Sequence, residues 1–156
     1  MNPQTAQAFR YMPYGIYVLA TKRAGQTWAM IVSWVSQISY SPPLLMAALR
    51  HNRPAITVIK ESGFFSLGLL KRGQKQFISL CKNPIAQPRV QEFFIDNEEG
   101  FPYYKEALAS WGCRVWSSLP AGDHVLLIGE VQSAVSEKEG EPLTTAEYGK
   151  TYIGQN

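Results

Sequence analysis

Short apolar runs broken by glycine and proline dominate the chain, and helical spacing is confined to a few brief stretches. Gly15 to Lys22 (GIYVLATK) is rich in β-branched and aromatic residues and predicts a strand, with a hairpin turn at Ala24-Gly25-Gln26. Thr27 to Ser39 predicts a second strand. Ser41-Pro42-Pro43 must end it, because proline removes a donor from the ladder. Leu44 to Leu49 is almost entirely apolar, as expected of a strand buried on both faces or lining a barrel. Phe64 to Leu70 predicts another strand, and Ser110 to Leu119 with His124 to Ser136 predicts a long hairpin across Pro120-Ala121-Gly122-Asp123. Helical turns are expected at Asn2–Phe9, Pro54–Glu61, Gln74–Cys81 and Thr144–Tyr148. Ser62-Gly63 should stop the second of these, glycine being the common helix terminator. Lys71 to Glu99 otherwise reads as irregular, interrupted by Pro84 and Pro88 and closed by a solvated turn at Asp96–Gly100. About six strands and few helices predict a mainly β protein, and regular turn spacing points to an antiparallel barrel, closed or nearly so.

Length and composition narrow this further. A chain of 156 residues predicts one domain over 1–156, able to bury about 70% of the surface its unfolded form exposes. The apolar share of 46% supplies an ample core, and 17% charged residues leave an ordinary surface. A net charge of +3 is too weak for a nucleic-acid partner. Lys71, Arg72 and Lys75 read as a solvated patch. No apolar run approaches the ~20 residues of a membrane helix, and the N-terminus lacks the apolar core of a signal peptide, so no membrane partner and a cytoplasmic location are expected. The two cysteines, Cys81 and Cys113, have no metal-ligand spacing and read as buried thiols. Trp28, Trp34, Trp111 and Trp116 are expected in the core or at a subunit contact, with one near a bound ring.

Candidate chemistry concentrates in three places. Arg50, His51 and Arg53 crowd against Pro54, and proline is favoured at a first helical position. Cations at a helix N-terminus oppose the dipole unless an anion sits there, and a phosphate is the usual anion. A solvated basic loop without a ligand is the alternative. Ser33 and Ser36 lie in the apolar strand before it, but an odd separation places them on opposite faces unless a bulge intervenes. Either one serine is structural, or a ligand is held there by backbone groups. His124 follows Gly122-Asp123 at the head of a strand, where it either faces a ligand or is capped by Asp123. No dinucleotide-binding glycine motif, P-loop, zinc helix or nucleophile elbow occurs.

The pattern A-M-x-x-S-W-V-S-Q-x-S-x-x-P-P-L from Ala29 to Leu44, followed by ALASWGCRVWSSLPAGDHVLLIGEVQSAV from Ala107 to Val135, resembles the flavin reductase-like family. The likeness covers roughly residues 8 to 150 and is strongest to flavoredoxin-like and rubredoxin-associated reductases and to the reductase module of diflavin flavoproteins. It implies a Greek-key FMN-binding split β-barrel, a homodimer, and an oxidoreductase that passes a hydride from NADH or NADPH to flavin. The electrons would leave to free flavin or a redox partner protein. The alternative within the resemblance is a flavoredoxin-like FMN electron carrier with no nicotinamide site. The resemblance places Met30, Ile31, Val32, Ser33, Trp34, Val35 and Ser36 along the flavin. It places Leu49, Arg50, His51, Asn52, Arg53, Ala55 and Thr57 around its phosphate, with Ala55 standing where family members often carry a hydroxyl. His124 matches the histidine near the docking nicotinamide, an orienting role, since hydride transfer needs no general base.

Overall fold

The computed structural model describes residues 1–82, 87–136 and 138–149. Helix α1 (Pro3–Phe9) is followed by β1 (Tyr17–Arg23), β2 (Gln26–Val32), β3 (Val35–Tyr40) and β4 (Pro43–Arg50), then α2 (Pro54–Ser62) and β5 (Phe64–Leu69). Next come α3 (Lys75–Lys82), α4 (Gln87–Val90), and the short β6 (Phe94–Asp96) and β7 (Pro102–Tyr104). The long β8 (Ala109–Ala121) and β9 (His124–Val135) precede a last helical turn, α5 (Thr145–Tyr148). The mainly β, antiparallel character expected from the sequence is what the structure has. The segment 71–99 is more ordered than its prolines suggested, with Pro88 inside α4; Pro84 lies outside the described residues.

Seven strands form one antiparallel sheet in the order β2-β1-β5-β8-β9-β4-β3. Its two edge strands are consecutive in the chain. Val32 ends one and Val35 begins the other, and three residue steps span at most roughly 11 Å. The sheet must therefore roll until its edges meet, which makes a barrel with a seam at Ser33-Trp34. This corrects the single strand expected over Thr27–Ser39. The apolar pattern there runs on without a break, but the chain leaves β1 at Val32 and takes β4 as its new partner from Val35. The amide of Ala48 donates to the Trp34 carbonyl (2.9 Å), tying the crossing to β4.

Two apolar cores result. Leu19, Val32, Leu45, Ala47, Leu49, Phe65, Leu67 and Leu127 fill the barrel, with Ile59 of α2 against them. Val18 and Ala20 point the other way, into a second core with Leu70, Phe77, Ile78, Val90, Phe94 and Tyr104 under α3 and α4. That is why β1 reads as apolar on both faces. β4 alternates instead, with Leu45, Ala47 and Leu49 buried and the residues between them half-covered, as in a barrel wall. Gly129 is required inside, since a Cβ there would lie 2.5 Å from Phe65 Cζ.

Local chemistry sets the connections. Ala24 and Gly25 both take positive φ (50° and 77°), the twist-matching hairpin geometry. The β8–β9 turn is tighter than expected: Pro120 and Ala121 remain paired, and Gly122-Asp123 alone makes the turn, with Gly122 at φ 60°. Pro54 opens α2 and Gly63 ends it in the left-handed conformation (φ 75°). Lys71, Arg72 and Lys75 are not simply a solvated patch. Lys71 pairs with Glu106, while Arg72 and Lys75 bond Glu141 and Glu147 and tie down the C-terminal segment.

Candidate active site

Antiparallel pairing of β4 with β9 sets Arg50 opposite His124, and the β8–β9 turn then places Asp123 beside them. The end of β2 and the Ser33-Trp34 crossing reach the same corner of the barrel. So does the start of α2, because the amide of Arg53 donates to the Arg50 carbonyl (3.0 Å) and folds the chain back at once. These ends surround a cavity of about 440 Å³. Its floor is Met30, Ile31, Val32, Ser33 and Trp34, one side is Ala48 and Leu49, and Arg50, Arg53, Asp123 and His124 make its polar end. Met1, Phe9, Met12 and Tyr14 close it from the N-terminal side.

The polar end is organised around one carboxylate. His124 Nδ1 lies 2.7 Å from Asp123 Oδ1 and donates to it, which leaves Nε2 for another partner. That hydrogen bond, helped by the nearby charge of Arg50, holds the Asp123 carboxyl below the usual carboxylate range. The contact is therefore complete at neutral pH and is lost only as pH falls through that lowered value. The His124 ring also lies against Trp34, with centroids 4.7 Å apart, and Tyr14 continues the row 6.2 Å beyond Trp34. Among the described residues, Trp34 Nε1 is the one buried side-chain polar atom with no hydrogen-bond partner. A buried donor left in that condition costs about 1–3 kcal/mol, so an acceptor brought by a ligand has an energetic reason to be there.

Of the residues singled out in the sequence, Met30 to Trp34, Leu49, Arg50, Arg53 and His124 meet at this cavity. Val35 and Ser36 do not; they line a second cavity across the seam. The parity argument for Ser33 and Ser36 thus has a structural answer: the seam lies between them, and Ser36 Oγ donates to the Gln37 carbonyl (3.0 Å). His51 turns away, with Nδ1 3.0 Å from the Asp123 carbonyl, and braces the β8–β9 turn. Asn52 and Thr57 are exposed beside the α2 start, and Ala55 is half-buried against the barrel core. Sequence reasoning missed Tyr14, Phe9 and Met12, whereas Asp123 was expected as a cap of His124 and makes that contact. Asp123 carried a signal, being adjacent to His124, and the N-terminal residues carried none. Neither cysteine is in a disulfide, both are buried, and burial pushes each thiol up to about 12, so neither is a nucleophile. Trp28 and Trp116 are exposed and Trp111 lines the second cavity, which leaves Trp34 as the tryptophan of the site.

The profile of the flavin reductase like domain matches residues 9–154. Among curated proteins, the reductase component of 4-hydroxyphenylacetate 3-monooxygenase from Thermus thermophilus is 28% identical over 149 residues, covering 96% of this chain and 95% of its own. A diflavin flavoprotein of Synechocystis is 29% identical over 145 residues, 89% of this chain, but the chain spans only 24% of that protein's length. Among solved structures, the styrene monooxygenase flavin reductase of Pseudomonas putida S12 superposes with a TM-score of 0.78 at 29% identity. The match covers 88% of this chain and 89% of that one.

Proposed function

The chain belongs to the flavin reductase-like family, and from that premise we propose that the cavity between Trp34 and Arg53 binds FMN and that NADH or NADPH reduces it there. The observation that carries this reading is a buried indole N–H without a partner among the described residues, set beside an apolar slot with a cationic end. The unpartnered Trp34 N–H suits a ring carbonyl or nitrogen, and Met30, Val32 and Leu49 suit a flat apolar ring. Arg50 and Arg53 at the start of α2 suit a phosphate. When bound, the flavin supplies the hydride-accepting chemistry. The chain's own residues bind and orient: Asp123 fixes the His124 ring, and Nε2 offers one hydrogen bond toward the flavin or the nicotinamide.

A terminal phosphate against Arg53 favours FMN over the longer FAD. The whole chain acts as one domain in the cytoplasm, where reduced nicotinamide is supplied. It forms a homodimer, supported by the exposed apolar side chains of Ile38 and Tyr40 on β3 and Trp116 and Leu119 on β8. The likeness to a monooxygenase reductase component makes a partner oxygenase, reached through reduced flavin, the electron acceptor. No helix among the described residues is long and apolar enough to cross a membrane.

The test is fluorescence titration of the purified protein with FMN and FAD, followed by anaerobic stopped-flow mixing of the complex with NADH or NADPH. Tighter binding of FMN and rapid loss of the oxidised-flavin absorbance are expected. Tight FMN binding without nicotinamide-driven bleaching would make the protein an electron carrier, and no flavin binding would overturn the assignment.

A further inference from the structure

The cavity has two unlike walls. The barrel wall is built of paired strands and fixed turns, whereas the facing wall is the segment from Met1 to Met12. Helix α1 is locally complete: Asn2 Oδ1 accepts from the Thr5 amide (2.8 Å) and Pro3 opens it, yet it buries none of its residues. Phe9 and Met12 line the cavity while remaining 43% and 46% exposed. Anchoring begins only past Pro13. There the Tyr14 amide donates to Thr145 Oγ1 (3.2 Å), the Thr145 amide donates to the Tyr14 carbonyl (2.8 Å), and the Ile16 amide donates to the Leu143 carbonyl (2.8 Å). A side-chain hydrogen bond bridges the two parts, the Tyr14 hydroxyl donating to Met12 Sδ (3.3 Å). A preformed helix without buried residues, lying beside an apolar slot and followed by long-range backbone bonds only from Tyr14 onward, opens at little cost and gains apolar contact when the slot is filled. Phenylalanine and a polarisable thioether are suited to the face or edge of a flat ring.

We propose that the Met1–Met12 segment is a movable outer wall of the flavin site, in which Phe9 and Met12 lie against the bound ring and set how long the flavin is retained. This rests on the flavin reading above and concerns whether the cofactor is held between turnovers or exchanged as a substrate. With the wall closed, Trp34 and His124 are covered; with it lifted, reduced flavin leaves for its acceptor. The N-terminal segment then adds to the retention that the arginines at the other end supply.

The full-length double variant Phe9→Ala/Met12→Ala tests this against Tyr11→Ala, which alters an exposed residue of the same segment that does not line the cavity. Thermal unfolding of both should match wild type, because neither removes a buried side chain. FMN release, followed by fluorescence recovery on dilution, should be about tenfold faster in the double variant, equal to about 1.4 kcal/mol of lost contact. Tyr11→Ala should release at the wild-type rate. Equal rates for wild type and double variant would overturn the wall, as would equal acceleration in Tyr11→Ala. A wild-type protein that binds neither FMN nor FAD would overturn the flavin reading itself, a failure distinct from the other two.

Discussion

The two cavities of this barrel are close in size, about 440 Å³ beside Trp34 and about 500 Å³ beside Trp111, and they lie on either side of one seam. Their chemistry differs completely. The second is walled by Tyr17, Val35, Pro43, Leu44, Leu45, Trp111 and Val131, with no charged residue, and two of its polar side chains turn to the backbone: Ser36 bonds the Gln37 carbonyl and Gln37 bonds the Ser39 carbonyl. The first collects two arginines, an aspartate–histidine pair and a buried indole N–H with no partner. Volume alone marks neither as a site. What distinguishes the first is charge at one end and an indole N–H without a partner among the described residues, a combination that a phosphorylated ring can satisfy.

That contrast can be broken by substitution. The largest effect is expected from Arg53→Ala, which should weaken FMN binding by about 1.5–3 kcal/mol, the range for a lost charged hydrogen bond. Fluorescence titration checks it, and unchanged affinity would take the phosphate away from the α2 start. His124→Ala should keep bound FMN but slow its reduction at saturating nicotinamide by about tenfold to a hundredfold, since small misplacements of reacting atoms carry penalties of that order. Single-turnover bleaching measures this, and loss of FMN instead would make His124 a cofactor ligand. A smaller effect is expected from Trp34→Phe, which keeps an aromatic ring and deletes the N–H: flavin affinity should fall by about 0.5–1.5 kcal/mol while the flavin-free protein becomes no less stable. The same change at the second cavity, Ser36→Ala, should leave flavin affinity where it was. Comparable losses in these last two variants would show that the seam as a whole, rather than one side of it, holds the flavin.

Much of this was legible because its signals are short-range. Pro54 and Gly63 bracket α2 by their own backbone preferences, Ala24-Gly25 sets its hairpin, and Arg50 to Arg53 mark the cationic end of the cavity from adjacent positions. The helix expected at Gln74–Cys81 forms one residue later, at Lys75–Lys82, with Phe77, Ile78 and Cys81 as its buried face. Where the sequence misled, the signal was real but insufficient. Thr27 to Ser39 is uniformly strand-like, and nothing local tells the chain to exchange one partner strand for another at Ser33-Trp34. The outer wall was invisible for a stronger reason: Tyr14 is held by Thr145, 131 residues away, and Ile16 by Leu143, long-range bonds that fix the chain just after α1 beside the barrel mouth.

By itself, then, the order of residues determined the β-rich composition of the fold, its turns, the start and stop of α2, and the family motifs around Trp34 and His124, because propensity, capping and turn chemistry act within a few residues. Tertiary structure alone decided which strands share edges, that Ser33 and Ser36 belong to different cavities, that Arg50 and His124 meet at one cavity, and that the N-terminal segment faces the site. Those outcomes depend on closing a sheet whose edge strands are neighbours in sequence but opposite in strand order. Hydrophobic burial of the barrel interior drives that closure, and it is a property of the whole chain rather than of any segment.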